Sequence, residues 1–232
     1  MTKAIIFGDS LLRGVTWDNR QARYKLWDNP FPARLQKLGV EVDNRSLFGC
    51  TAPRGETLLH KTLDKGLKAE IAFLEYGGND SDFHWPEVAA RPKEHHDPLT
   101  PLPAFKDCYR RLITLLREAG IEPVCCLLPP IDAEKYFAWF SRELDTTALQ
   151  EWLGDIRNIY RHQELYSLTV GALAREQSCR IMDLRAPLLF CHDFGELICE
   201  DGLHPNPAAY ELMWKQIEFF FRTSQNQMQA PV

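Results

Sequence analysis

The chain has no Cys-x-x-Cys pair, no run of lysine or arginine, and no apolar stretch of membrane-spanning length. Each absence closes off a class. Seven cysteines (Cys50, Cys108, Cys125, Cys126, Cys179, Cys191, Cys199) form an odd set, and several lie inside apolar runs where a reduced thiol behaves as a small hydrophobe, which favours a reducing cytoplasm. A formal net charge of -5 without a basic cluster argues against a polyanion binder, because neutralising phosphates takes a concentrated basic face, so no nucleic-acid partner is expected. Met-Thr-Lys runs directly into a few apolar residues, too short for a signal-peptide core. With no later membrane span, the expectation is a soluble, cytoplasmic protein. Gly77-Gly78-Asn79-Asp80 lacks both the length and the lysine of a phosphate-binding loop, and no internal repeat is evident.

What is present is enough for one α/β core: 232 residues, 45% of them hydrophobic and 25% charged, with no composition shift to suggest a second domain. A single domain over residues 1–222 is expected, followed by a polar tail at 223–232. Strand-like runs recur at Ala4 to Phe7, Val40 to Leu47, Ile71 to Tyr76, Pro123 to Leu128 and Arg180 to Leu184, with helical segments between them. That alternation predicts a parallel sheet covered on both faces. The second run is more polar and suits an edge, whereas Ile71-Ala72-Phe73-Leu74 and Val124-Cys125-Cys126-Leu127-Leu128 are continuously apolar, as buried strands are. Pro103 and Gly120 bracket one amphipathic helix, and Asn206-Pro207 opens another. Residues 81–102 and 131–177 exceed what a crossover needs, the second with Gly154 as a break. Both begin at carboxyl ends of strands, where open sheets bind ligands, so they are candidate lids or site walls.

The first strand hands over to a helix at Gly8-Asp9-Ser10-Leu11. Unpaired N–H groups at a helix start can stabilise a developing oxyanion beside a serine hydroxyl, although the same residues also suit a plain helix cap. A serine nucleophile needs a neutral base, and His204 has a carboxylate, Asp201, three residues earlier on one loop, a spacing that lets Asp201 bind the imidazole Nδ1–H. Pro205 and Pro207 stiffen the chain beyond it. Gly49, after Asn44-Arg45-Ser46-Leu47-Phe48, and Asn79, in the glycine-rich loop after the third strand, could supply further oxyanion donors, although each also suits a turn.

These four blocks, in this order, resemble the SGNH (GDSL-type) hydrolase family of esterases and lipases over essentially the whole chain. The resemblance implies Ser10 as nucleophile, His204 as general base and then acid, and Asp201 as its orienting partner. It implies an oxyanion hole from the Ser10 and Gly49 N–H groups and the Asn79 amide, in a flavodoxin-like three-layer α/β/α fold with strand order 2-1-3-4-5. Ser46 departs from a glycine common in the second block, which touches loop shape more than the donor. A nucleophile elbow would need Gly-x-Ser-x-Gly on an internal strand, whereas Leu12 holds the last position here on the first strand.

His84, His95 and His96, near Asp82 and Asp97, lack the spacing of a tetrahedral site, so neither a metal nor another cofactor is expected. Tyr136, Phe137, Trp139 and Phe140, with Phe83 and Trp85, read as packing residues or as a pocket wall, making Phe83, Trp85 and Trp139 candidate substrate contacts. The expected substrate is a carboxylic ester: a carbohydrate O-acyl ester, a short-chain ester and a lysophospholipid-like ester all fit. An acyltransferase with the same residues, and a flavodoxin-like small-molecule binding protein without catalysis, are the rival readings.

Overall fold

The apolar run at the N-terminus becomes the middle of the fold. The computed structural model describes residues 1–228, with side chains for residues 1–223. In chain order, β1 (Thr2–Gly8) leads through α1 (Ser10–Arg13) to the antiparallel pair β2 (Val15–Asp18) and β3 (Arg23–Leu26), and then to α2 (Phe31–Lys37) and β4 (Val40–Asn44). There follow α3 (Ala52–Asp64), β5 (Ile71–Glu75), α4 (Trp85–Ala90), α5 (Leu102–Glu118) and β6 (Glu122–Leu127). The chain ends with α6 (Ala133–Phe140), α7 (Thr146–Leu153), α8 (Arg157–Glu176), β7 (Arg180–Asp183), α9 (Ala186–Leu189), α10 (Phe194–Leu197) and α11 (Pro207–Met228).

Five strands form a parallel sheet in the order β4-β1-β5-β6-β7, which is the expected 2-1-3-4-5 arrangement once the hairpin is set aside. Its register places Ala4 between Val42 and Ile71, so successive β1 residues face opposite sides. Ile5, Phe7, Ala72 and Leu74 pack against Leu59 of α3, Tyr109 and Leu112 of α5 and Val170 of α8. Ala4, Ile6, Phe73 and Met182 pack against Phe31 and Leu35 of α2 and Met213 and Trp214 of α11. Burying both faces accounts for the unbroken apolar runs, while β4, exposed at several positions, occupies an edge.

Three local features differ from the sequence expectation. The β2–β3 hairpin has no apolar pattern to betray it, since Arg23–Leu26 is exposed throughout. It is held by aromatic contacts: Trp17 meets Tyr24 at 5.0 Å and Trp139 at 4.6 Å between ring centroids. The second expected strand stops at Asn44, because the Asn44 side chain accepts the Ser46 N–H at 3.0 Å and turns the chain toward the site. Finally, α11 continues to Met228, through the start of the expected tail, whose residues 229–232 lie outside those described.

The long segments fold together. Within 131–177, α8 packs on β6 and serves as the crossover, whereas Tyr136 and Phe137 of α6 and Leu149 and Leu153 of α7 join Trp85 and Val88 of α4 in a third apolar cluster. No helix among the described residues is long and apolar enough to cross a membrane.

Candidate active site

Asp9, in extended conformation, caps α1 by accepting the Leu11 N–H at 2.8 Å. The capping role therefore falls to Asp9 and leaves the Ser10 hydroxyl free. Ser10, at the carboxyl end of the central strand, stands 2.9 Å through its Oγ from His204 Nε2. On the other side of the ring, His204 Nδ1 meets Asp201 Oδ2 at 2.5 Å. Asp201 also accepts the backbone N–H groups of Leu203 (3.1 Å) and His204 (3.0 Å) through Oδ1. A carboxylate only accepts, so Nδ1 carries a proton and Nε2 presents its lone pair to the serine hydroxyl, which can pass its proton across. Burial works against the charge of Asp201, but the hydrogen bond and charge of His204 together with the two N–H groups outweigh it and hold the carboxyl below its ordinary range.

The loop carrying this pair is fixed before α11 begins. Cys199 N–H donates to the His204 carbonyl at 2.9 Å, and Ile198 bridges Pro205. Gly202 sits at φ 74°, where a Cβ would lie 2.2 Å from Tyr136 N and 2.6 Å from the Asp132 carbonyl. Only glycine fits there. Gly202→Ala is expected to cost about 2–4 kcal/mol of stability and to lower activity together with it, because the loop must move away from α6 and take His204 with it. Thermal melts and ester hydrolysis on the one variant check this; a variant with unchanged Tm would show that the loop tolerates the displacement.

The two other expected donors arrive from adjacent strand ends. Gly49 adopts φ 62° in the loop after β4, and its N–H and that of Ser10 have no acceptor among the described residues. Asn79, after β5, donates from Nδ2 to Asp9 Oδ2 at 2.7 Å, with a longer approach of 3.4 Å to the Cys50 carbonyl. The Asp9 contact takes one amide hydrogen; the other makes only the long bond to the Cys50 carbonyl, which a ligand oxygen would have to displace. Asp80 faces away, binding Ala52 N–H at the start of α3 with both oxygens.

Ser10, Gly49, Asn79 and His204 all line one cavity of about 370 Å³, and so do Phe83, Trp85 and Trp139. Asp201 stands behind His204 and does not reach it. Phe83, Trp85, Tyr136 and Phe140 thus serve both as packing and as wall, whereas Phe137 stays in the apolar cluster and Trp139 lines the cavity and packs on Trp17. Asp82 is held inside this wall by the Tyr136 hydroxyl (2.6 Å) and the Trp85 indole N–H (2.8 Å), so its polar atoms are satisfied. His95 pairs with Asp97 at the surface and His96 with the Arg91 carbonyl, apart from the cavity.

Several lining residues escape the sequence reading. Tyr24, on β3, lies 5.1 Å from the His204 ring, and burial first and then the nearby Asp201 carboxylate push its hydroxyl well above its usual titration range. Phe48 stacks on His204 at 5.9 Å and 14°. Ile131, Ile159 and Gln163 complete the inner wall. No periodicity marks Tyr24; its partner Trp17, two places into β2, is the one aromatic cue.

The profile of the GDSL-like lipase/acylhydrolase family matches residues 6–212, a span that starts within β1 and ends in α11, beyond the Asp201–His204 loop. The chain belongs to the GDSL-like lipase/acylhydrolase family. It is accordingly a hydrolase acting on ester bonds. Solved structures share the fold at low identity. A member of the lipolytic protein G-D-S-L family from Veillonella parvula is 18% identical with a TM-score of 0.65, covering 96% of this chain and 100% of its own. The lipase/acylhydrolase from Enterococcus faecalis is 18% identical with a TM-score of 0.60, covering 98% and 97%. The psychrotrophic esterase EstA from Pseudoalteromonas sp. is 13% identical with a TM-score of 0.62, covering 97% and 100%. No curated protein matches the chain.

Proposed function

We propose that this family member hydrolyses a carboxylic ester through a covalent acyl-Ser10 intermediate, without a cofactor. The continuous hydrogen-bonded line from Asp201 through His204 to Ser10, at 2.5 and 2.9 Å, is the observation that carries the reading. Ser10 Oγ attacks the ester carbonyl as its proton passes to His204 Nε2. The resulting oxyanion lies against the N–H groups of Ser10 and Gly49 and takes the Asn79 amide hydrogen that otherwise makes the long bond to the Cys50 carbonyl. Collapse expels the alcohol, which takes the proton from His204. Water, deprotonated by the same imidazole, then attacks the acyl carbonyl and returns Ser10 with free acid.

The cavity favours an apolar acyl group of small or middle size. Phe83, Trp85, Ile131, Tyr136, Trp139 and Phe140 line it, and its volume of about 370 Å³ lies toward the lower end of small-molecule sites, roughly 300–1,000 Å³. A nitrophenyl ester series tests both parts. Hydrolysis is expected to rise from acetyl to a middle-length acyl chain and then fall for long fatty acyl groups, with free acid as product. A palmitoyl ester as best substrate would overturn the size argument, and no turnover of any ester would overturn the function.

A further inference from the structure

Behind Ser10 lies a second carboxyl that the mechanism above does not use. Glu75 ends β5 wholly buried, and the Asp9 backbone N–H reaches its Oε2 at 3.3 Å. The Glu75 carboxyl thus neighbours that of Asp9, which is itself 2% exposed. Two neighbouring buried carboxyl groups resist ionising together, so one of them keeps its proton. Their partners decide which. Asp9 Oδ1 accepts from Leu11 N–H and Oδ2 from the Asn79 amide, whereas Glu75 receives one long backbone N–H and its Oε1 receives no hydrogen bond among the described residues. The better-solvated group takes the charge. Burial foremost, followed by the charge of Asp9, accordingly drives the Glu75 carboxyl well above its ordinary range.

We propose that Glu75 is a positioning residue, held as the neutral acid and donating its proton to the Asp9 carboxylate, which in turn aims the Asn79 amide at the oxyanion. The device follows from what each group can donate. An ionised Asp9 forces the amide nitrogen of Asn79, and not its oxygen, to face it, which settles the orientation of the remaining N–H. Without a donor at position 75, the buried Asp9 would take up a proton itself and could then bind the amide oxygen instead, turning the N–H groups away. No bond is made or broken at Glu75 during turnover, and the proton stays on it.

This inference rests on the acyl-Ser10 reading, and two readouts separate the pair. In Glu75→Gln the amide N–H replaces the acid O–H as donor to Asp9, so kcat is expected to stay within about fivefold of the native value. In Glu75→Leu the donor is gone, and kcat is expected to fall by about 10²-fold with KM little changed, the signature of a donor that acts in the transition state. Independently of activity, the infrared difference spectrum of native protein against Glu75→Gln should contain the C=O stretch of a protonated carboxyl at neutral pH. Absence of that band overturns the proposal, even if Glu75→Leu fails to fold. So does Glu75→Gln as slow as Glu75→Leu, or Glu75→Leu with native kcat. Failure of native protein to react with a fluorophosphonate at Ser10 would instead overturn the acyl-enzyme reading, while the band would still report the shared proton.

Discussion

Ser10→Ala is expected to lower kcat/KM by about 10⁴-fold or more, with the fold intact. Both halves of this expectation come from the contacts of Ser10. Its hydroxyl bonds His204 Nε2, while the cap of α1 rests on Asp9 and the packing of that helix on Leu11 and Leu12. Removing one oxygen thus deletes the attacking atom and little else. Some catalysis over water should survive, because the oxyanion donors and the cavity remain. Steady-state hydrolysis together with a thermal melt measures both. A variant within tenfold of native activity would mean that water, activated by His204, attacks the ester directly.

Asp201→Asn is expected to cost about 10⁴-fold in kcat, again with a folded protein. Asparagine can keep its Oδ1 on the Leu203 and His204 N–H groups, so the loop should hold its shape. What changes is the atom facing His204 Nδ1. An amide nitrogen there donates, so Nδ1 must accept and the ring proton moves to Nε2, where it points at Ser10 Oγ and blocks proton uptake. In the native protein the carboxyl of Asp201, held below its ordinary range, stays ionised through the usual range of histidine, so its own protonation is not what ends kcat/KM in acid. The sign for stability is opposite in position. A carboxyl lowered on folding contributes stability that is full above its unfolded value and is lost as pH falls through the folded one, so acid unfolding linked to Asp201 should set in only below the ordinary carboxylate range, as thermal melts across acid pH would show.

The sheet and the gathering of the candidate site residues were legible for a physical reason. Strands buried on both faces need uninterrupted apolar runs, and groups gathered at the ends of a parallel sheet must follow those runs in sequence, as Ser10, Gly49 and Asn79 do. The hairpin was not legible, because β3 is exposed and its order depends on Trp17 reaching Trp139 from a segment more than a hundred residues away. The aromatic wall was half legible: its residues stood out, but whether Trp139 faced core or cavity depended on how α6 packs against α4 and the hairpin. Glu75 shows a different limit. Its position in an apolar run was visible, but its link to the site passes through Asp9, which meets Glu75 by its backbone N–H and Asn79 by its carboxylate.

The most direct measurement is the intact mass of the protein after exposure to a fluorophosphonate, with peptide mapping of the adduct. The native chain should gain one probe, on Ser10, at a rate that falls sharply in His204→Ala, and Ser10→Ala should gain none. No mass gain on the native chain, or equal gain on Ser10→Ala, would contradict the acyl-Ser10 account.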